Sequence, residues 1–404
     1  PPSPPPQTAG GAGRGGANYV VVGAGLSGAV VAREAAEVGK SVLVIDKRNH
    51  VAGNCYDYEH SSGFRVAEYG PHFFHTNVAR VRDYVTAHGE WVPWEHRVQV
   101  RLNAPDGREV HVPVPVNITT VNTLFGESIA DSAAMDAWLA REQVACAAPA
   151  DSREVSLARV GPRLYELLFR GYTRKQWAKW PEELEASVMA RIPVRNNFDD
   201  RYFTDSFQAL PRHGYTAFIS SILDHPNIEV RTEIDYFAEA HTWKTAEKLF
   251  YTGPIDTYFA HLGYDKLEYR SVYFKEELAT TTDDGLVQPA AQVNYPAPDV
   301  PFTRISEYKH LPNQPTPSGK LSTPSSILMT EFSTDDGEPY YPVPAPRNRA
   351  LYERYRAATA AEAGVVFVGR LASYKYFNMD AAILNALQCA DYHVHGKGDA
   401  WVPT

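Results

Sequence analysis

The run Tyr19-Val20-Val21-Val22-Gly23-Ala24-Gly25-Leu26-Ser27-Gly28 constrains this chain more than any other stretch. A short β-branched strand enters the spacing G-x-G-x-x-G, and a helical pattern follows from Ala29. Gly23 permits a tight turn, Gly25 lets the backbone approach a pyrophosphate, and Gly28 lets the helix pack closely on the strand. Amides at the helix N-terminus, around Leu26 and Ser27, receive the phosphate charge. The next strand, Ser41 to Ile45, ends at Asp46, 21 residues after Gly25, where a carboxylate accepts hydrogen bonds from an adenosine ribose. Glycines alone are a weak signal. Strand, glycines, helix, second strand and acid in this order predict dinucleotide binding.

Which dinucleotide is a separate question. Lys47 and Arg48 either neutralise an NADP 2′-phosphate, contact the cofactor's own phosphates, or are solvated charges at a strand end. The segment Arg48-Asn49-His50-Val51-Ala52-Gly53-Asn54 favours FAD. Gly53 followed by the Asn54 amide resembles the second loop that closes over the adenosine half of FAD in the amine-oxidase and glutathione-reductase groups. Typical members carry two glycines there, and the first is Ala52 in this chain. An alanine fits unless the backbone needs positive φ.

The 404 residues suffice for two or three domains with real cores. A net charge of −9 argues against a nucleic-acid surface. No apolar run approaches the roughly 18 residues of a membrane span, so a soluble, cytoplasmic protein without a membrane partner is expected. Cys55, Cys146 and Cys389 are widely spaced and odd in number, which fits a reducing compartment better than a disulfide framework, and none has metal-ligand spacing. His72 and His75 stand three apart with no nearby acid or cysteine in sequence, so no metal site is expected. The first 17 residues, rich in Pro and Gly without an apolar segment, read as a disordered leader. The 24 tyrosines and 7 tryptophans exceed what a core requires, so many are expected to line a pocket for a polar ligand with flat faces.

Residues from Val98 to Val116 alternate apolar and polar around Asn103-Ala104-Pro105-Asp106-Gly107, a hairpin signature. From Thr119 to about Arg191 the pattern is helical, with 3.6-residue spacing over 133–147 and 164–169. A β-rich stretch follows, with strands expected at 267–274, 292–295 and 303–309. The run 311–326, full of Pro, Ser, Thr and Asn, reads as a surface loop. Val365 to Arg370 is another buried strand closing on glycine, and a helix begins near Asn378. The fold class is α/β, with a discontinuous FAD-binding Rossmann-like domain (18–85, 211–262 and 335–404). A helical insert domain (117–192) carries a substrate lid, and an antiparallel sheet domain comprises 86–116, 193–210 and 263–334.

Several longer motifs share one resemblance. Tyr69-Gly70-Pro71-His72-Phe73-Phe74-His75-Thr76, Gly171-Tyr172-Thr173-Arg174-Lys175-Gln176-Trp177, Arg191-Ile192-Pro193-Val194-Arg195 and Tyr251-Thr252-Gly253-Pro254-Ile255-Asp256 resemble the prokaryotic UDP-galactopyranose mutases. So do Leu267-Glu268-Tyr269-Arg270-Ser271, Pro301-Phe302-Thr303-Arg304, Glu338-Pro339-Tyr340-Tyr341-Pro342-Val343 and the segment from Gly369 to Tyr376. The motifs stand in family order and span roughly residues 18–392. The resemblance implies an isomerase that interconverts pyranose and furanose forms of a nucleotide sugar, UDP-galactose foremost. N5 of reduced FAD attacks the anomeric carbon in that chemistry, with no net redox.

The resemblance also distributes roles. Arg191 and Arg270 are the diphosphate-binding arginines, and Arg304 lies beside the flavin. Trp177 with Tyr172 is the platform for the uracil ring. Tyr202, Tyr340 or Tyr341, and Tyr376 reach phosphate or sugar, with Tyr340 the favoured member of its pair. Catalytic roles fall to Arg191, Arg270, Tyr376 and His75. Cofactor contacts fall to Gly23, Gly25, Leu26, Ser27, Gly28, Asp46, Lys47, Gly53, Asn54, His72, His75, Arg304, Gly369, Arg370 and Met379. The segment from about Trp177 to Arg195 is the lid.

Three departures from the family pattern stand out: Ala178 replaces the usual glycine after the tryptophan, Asn378 an aspartate that touches substrate or a flavin-site arginine, and Pro71 an alanine. They leave open an N-acetylated or deoxy sugar or a dTDP carrier. An amine-oxidase-type FAD oxidoreductase, or a non-catalytic flavoprotein that binds nucleotide sugar, is the alternative from another class. An NAD(P)H-linked or other reductant and a homodimer are the further partners the resemblance implies.

Overall fold

The computed structural model describes residues 17–239, 246–280, 285–315, 325–398 and 401, so the expected leader lies almost wholly outside them. The β-branched run Tyr19–Val22 forms the middle of a five-stranded parallel sheet, flanked by Val42–Ile45 and Lys248–Tyr251. Ile228–Arg231 and Val365–Phe367 complete its edges. Helices cover both faces of such a sheet, so its central strands read as unbroken apolar runs. One face is covered by the helix Leu26–Glu37, which starts three residues before the sequence pattern suggested. The helices Met379–His393 and Tyr215–Leu223 pack against it. Ala29, Val31, Ala32 and Ala36 join Ile383, Ala386 and Cys389 in that core. The short alanines let the helices approach closely.

The other face of the sheet is aromatic. Tyr251, Phe259, Tyr355 and Phe367 are buried there and pack with Tyr258, Tyr236 and Tyr264. Tyr258 meets Phe367 edge-on at 4.9 Å and Tyr251 at 5.1 Å. Much of the tyrosine surplus is therefore core packing, contrary to the expectation that it lines a pocket. A phenol supplies a large apolar face while its hydroxyl reaches a rim acceptor, as Tyr258 does with Glu362 at 2.9 Å.

The second large sheet has seven strands: Tyr341–Pro342, Tyr269–Thr280, Ser325–Thr334, Arg304–Glu307, Gln292–Asn294, Val98–Asn103 and Glu109–Val114, in that spatial order. The last two are the expected hairpin. The sheet is antiparallel except where Gln292–Asn294 runs parallel to Val98–Asn103. A small sheet, Phe74–Thr76 with Phe207–Pro211 and Trp91–Pro93, places His75 opposite Gln208.

The helical segment comprises Ile118–Phe125, Ser132–Glu142 and Ser152–Leu164, followed by Gly171–Trp177 and Ser187–Ala190, and it meets the seven-stranded sheet at Glu109–Val114 and Ser325–Thr334. Helix Ser132–Glu142 stops short of the expected 147. The expected 3.6-residue winding over 164–169 is instead a wider π-helical turn, Tyr165–Arg170. Gly161 at φ 76 and Pro162 break the regular hydrogen bonding just before it, and the wide turn still buries Leu164, Leu168 and Phe169.

The expected surface loop 311–326 is also corrected. Leu311, Asn313 and Gln314 are buried, with Asn313 donating to Pro211 O at 3.1 Å and Gln314 accepting from the Arg65 amide at 2.8 Å. Ser325 and Ser326 are strand, and 316–324 lie outside the described residues. Polar side chains that bond main-chain groups of other loops can be buried as readily as apolar ones. Among the described residues, no helix is long and apolar enough to cross a membrane. Cys55, Cys146 and Cys389 are all free thiols.

Candidate active site

The glycine turn fits together as backbone against backbone. A Cβ on Gly28 would lie 1.9 Å from Gly23 O, and one on Gly23 would lie 2.0 Å from Thr252 Oγ1. Both positions are closed to side chains by the protein itself. Gly25 is different. Its φ is −78°, and a Cβ there would meet only Gly53, at an ordinary 3.7 Å. Nothing in the chain excludes a side chain at Gly25, so its bare backbone suits a ligand lying against the helix N-terminus. Asp46 sits directly beneath, accepting from Ala24 N at 2.8 Å. Ala52 caps the facing turn at φ 73°, the left-handed region, so the condition under which an alanine would be strained is met. Lys47 pairs with Glu338 at 2.5 Å, and Arg48 meets the same carboxylate at 3.1 Å. Arg48 also holds Asn54 Oδ1 at 3.0 Å. With both cations engaged by one acid, the strand-end reading fits better than a 2′-phosphate site.

A second constellation lies where the helical segment meets the seven-stranded sheet. Arg270, 4% exposed, is fixed by main-chain carbonyls of the helix Gly171–Trp177: Nε donates to Gln176 O at 3.0 Å and Nη2 to Lys175 O at 3.4 Å, while Nη1 pairs with Asp335. Arg304 is gripped by Glu331 at 2.5 Å. Burial opposes its charge, but the adjacent carboxylate outweighs burial and holds the guanidinium well above its ordinary pKa. Arg191 lies 4.3 Å from the centre of the Tyr376 ring and Arg370 lies 5.3 Å from it. Tyr376 stacks on Tyr341 at 5.3 Å. Burial would raise the Tyr376 hydroxyl, yet the positive charges of Arg191 and Arg370 carry it below the ordinary phenol range. Tyr172, close to Arg304, is pushed up by burial. Tyr202 stands edge-on to Phe203 at 5.0 Å and gives its amide to His96 O at 2.7 Å.

The histidine loop divides its two rings. His72 donates from Nδ1 to Gly70 O at 2.9 Å, and burial with the nearby Arg370 charge pulls its pKa down to about 4. It is neutral near pH 7. His75 donates from Nδ1 to Asp205 Oδ2 at 2.9 Å and stacks on Phe203 at 3.7 Å. Its Nε2 faces the Asn378 amide at 3.4 Å. Asn378 thus addresses a histidine, where the sequence had pointed to substrate or a flavin-site arginine. Asp205 also borders an open cavity of about 650 Å³.

The segment 178–195 is tied to its surroundings by polar contacts. Lys179 pairs with Glu268 at 2.8 Å, and Glu185 pairs with Arg349 at 2.7 Å. Arg159 Nη1 collects the carbonyls of Met189, Ala190 and Ile192 at 2.5–3.1 Å. Ala178 at its start is left-handed, with φ 55°.

These geometries agree with sequence and structural comparison. A family model described as UDP-galactopyranose mutase matches residues 167–376, and one for an NAD(P)-binding Rossmann-like domain matches 21–87. A probable UDP-galactopyranose mutase of Klebsiella pneumoniae is 37% identical over 93% of this chain and 94% of its own. The chain belongs to the UDP-galactopyranose mutase family. A dTDP-fucopyranose mutase of Escherichia coli is 34% identical, covering 93% of this chain and 98% of its own. The fold likewise matches a crystal structure of reduced UDP-galactopyranose mutase, with a TM-score of 0.75 at 17% identity over 96% of both chains.

UDP-galactopyranose mutases are FAD-dependent, and the bare Gly25 backbone between Asp46 and Gly53 fits such a cofactor. Gly369 closes the same turn: a Cβ there would lie 2.9 Å from Ser27 Oγ. Met379, 8% exposed, lies 4.0 Å from Cys55. The structure gathers Tyr172, Trp177, Arg191, Tyr202, Arg270, Arg304, Arg370 and Tyr376 into one buried cluster, but Trp177 and Tyr340 differ from expectation. Trp177 is only 3% exposed, its ring 6.0 Å from Tyr341 and 5.9 Å from Tyr376, so it packs in the cluster without a free face. Tyr340 points away: its hydroxyl donates to Tyr69 O at 2.8 Å and approaches His72 at 3.3 Å. Tyr341 is the member that enters the arginine cluster. Asp205, Glu331 and Lys175 were missed. Their partners are remote in sequence or are main-chain carbonyls, neither of which leaves a local pattern.

Proposed function

We propose that this chain interconverts the pyranose and furanose forms of a nucleotide-activated sugar, UDP-galactose foremost, with reduced FAD as the working cofactor. One observation carries the reading. Among the described residues, neither Arg191 nor Arg370 pairs with a carboxylate, and both bear on Tyr376, whose hydroxyl they make more acidic. Such uncompensated charge in a buried aromatic setting calls for a multiply charged anion, and a nucleoside diphosphate is one.

FAD would be held through its pyrophosphate by Gly23, Gly25, Leu26, Ser27, Gly28 and Gly369, and through its adenosine side by Asp46, Gly53 and Asn54. His72, His75, Arg304, Arg370 and Met379 would stand towards the flavin. Bound and reduced, the flavin supplies a nucleophilic nitrogen for the anomeric carbon. The chain's residues do the rest. Arg191 and Arg270 hold the diphosphate while it is detached, so that it stays in place for return. Because carbonyls and Asp335 already fix Arg270, little reorganisation accompanies the charge that develops on the leaving oxygen. Tyr341 and Tyr376 offer hydroxyls to phosphate, while Tyr172, Trp177 and Tyr202 shape the base and sugar pocket. Segment 178–195 excludes water, which would otherwise hydrolyse the activated sugar. An external reductant is needed only to charge the cofactor, since the isomerisation is redox-neutral. Two copies of the chain form the working unit in this reading, and the three-domain division given by the sequence belongs to it.

A dTDP-linked deoxy sugar is a second reading. It is favoured by Asn378, which adds an uncharged amide beside His75, and by the dTDP-fucopyranose mutase relative. The deciding assay is anaerobic. Dithionite-reduced protein should convert UDP-galactofuranose to UDP-galactopyranose on chromatography, and unreduced protein should not. Conversion of dTDP-fucofuranose in preference would select the second reading. Conversion of neither, with flavin bound and reducible, would remove both substrates.

A further inference from the structure

Lys175 occupies the last turn of the helix Gly171–Trp177, between Tyr172 and Trp177. Among the described residues no carboxylate lies within ion-pair distance of its ammonium, and Asp299 in the facing segment acts on it only through its charge. Instead it donates to the carbonyls of Ala297 at 2.9 Å, Val300 at 3.0 Å and Phe302 at 3.0 Å, and to that of Tyr295. Three hydrogens are thus shared among four acceptors that encircle it. The segment 295–302 supplying them reads Tyr-Pro-Ala-Pro-Asp-Val-Pro-Phe, so Pro296, Pro298 and Pro301 have no amide hydrogen to give. Such a segment cannot build a regular ladder; Ala297 O also accepts from Val300 N at 3.2 Å, but the converging carbonyls of Tyr295, Val300 and Phe302 take their bond from the cation. Burial lowers the Lys175 pKa to about 8, which leaves it protonated near pH 7.

The position of this ring gives it consequence. The segment runs directly into Thr303 and Arg304. At the other end of the same helix, Gly171 is so close that a Cβ would lie 2.5 Å from Pro296 O. The main-chain carbonyls of Lys175 and Gln176 meanwhile accept from Arg270. One turn of helix therefore touches the supports of both Arg270 and Arg304.

We infer that Lys175 is a positioning residue for the nucleotide-sugar site, a built-in cation that winds segment 295–302 around itself and fixes the spacing between the Tyr172–Trp177 helix and the Arg270 and Arg304 strands. The inference rests on the proposed nucleotide-sugar reading for its effect on binding. The carbonyl ring itself stands on geometry alone.

The test uses FAD-loaded full-length protein and two readouts, UDP affinity by tryptophan fluorescence and anaerobic turnover. Lys175→Met, which keeps the stem and removes the charge, should retain the flavin spectrum and lose about tenfold or more in UDP affinity and in turnover. Lys175→Ala leaves a hole lined by carbonyls. Added ethylammonium, which has N–H donors, should restore both readouts saturably, and tetramethylammonium at equal concentration should not. Variants within twofold of wild type, or a folded Lys175→Ala protein that ethylammonium leaves unrestored, would overturn the inference. Should neither variant fold, reductive methylation of the wild-type holoenzyme decides: Lys175 should resist modification under conditions that methylate exposed lysines, and its ready methylation would overturn the ring. Wild-type protein that binds UDP but turns over neither sugar would sink the proposed reaction while leaving the affinity comparison intact.

Discussion

Among the described residues two alanines occupy left-handed turns, Ala52 beside the glycine turn and Ala178 at the start of the segment proposed as a lid. Each stands where the family resemblance leads one to expect glycine. Their settings differ. Ala52 is 1% exposed, donates its amide to Ala24 O at 2.9 Å and packs in the main core. Its methyl does useful packing, and its backbone is held from several sides. Ala178 is half-buried, between the fixed Trp177 and the ion-paired Lys179, and its carbonyl takes a bond from Arg174. Strain of about 1–2 kcal/mol is expected in either turn. In the first it is offset by burial, and in the second it stays stored at a hinge. The glycine turn is specified by what will not fit at Gly23 and Gly28, whereas the arginine cluster holds Arg191 and Arg370, which pair with no carboxylate among the described residues.

The largest way to break this contrast is at Arg191. Arg191→Ala should keep FAD, judged by its absorbance, yet lower turnover by roughly a hundredfold or more, because a donor to the departing diphosphate is gone. Turnover unchanged in the anaerobic assay would remove its assigned role. The cradle should respond to added atoms instead. Gly28→Ala should destabilise the fold by about 3 kcal/mol in denaturant titration, since the Cβ meets a main-chain oxygen at 1.9 Å. Gly25→Ala should fold with near-normal stability and lose FAD affinity selectively. A matching loss of stability in both would mean that Gly25, too, is set by the protein alone. At the hinge, Ala178→Gly should stabilise by about 0.5–1 kcal/mol and alter turnover more than substrate affinity, as stored strain at the lid is released. Ala52→Gly should change stability by less than about 0.5 kcal/mol, because relief of strain and loss of a buried methyl oppose each other. Equal thermal shifts in the two glycine variants would erase the distinction.

What was legible in the sequence follows the same divide. Strand, glycine turn and helix are local, and the sterics that require Gly23 and Gly28 act over a few residues. The hairpin at 98–114 has its own turn chemistry. The arginine cluster was legible only through long motifs, and its details turned on single-residue parity. Adjacent strand residues point to opposite faces, so the choice between Tyr340 and Tyr341 hung on which one opposes Arg270, and the register gives Tyr341. The buried face of Trp177 depends on Tyr341 and Tyr376, which arrive from a distant segment. Asp205 lies 130 residues from the histidine it orients. The Lys175 ring consists of carbonyls, which every residue possesses, so no side-chain pattern could announce it.

The parallel sheet has a consequence for how the protein is made. Its central strand, Tyr19–Val22, is synthesised more than two hundred residues before its neighbour Lys248–Tyr251. At about 5–20 residues per second, that is a wait of roughly ten to forty seconds. Through that interval the phosphate turn lacks Thr252, whose hydroxyl bonds Val22 O at 2.8 Å and lies against Gly23. The helix that packs on Leu26–Glu37 comes later still, from Met379–His393. Loading of the cofactor thus awaits the synthesis of residues 379–393, and a nascent chain halted at residue 360 presents the fingerprint without the helix that packs behind it.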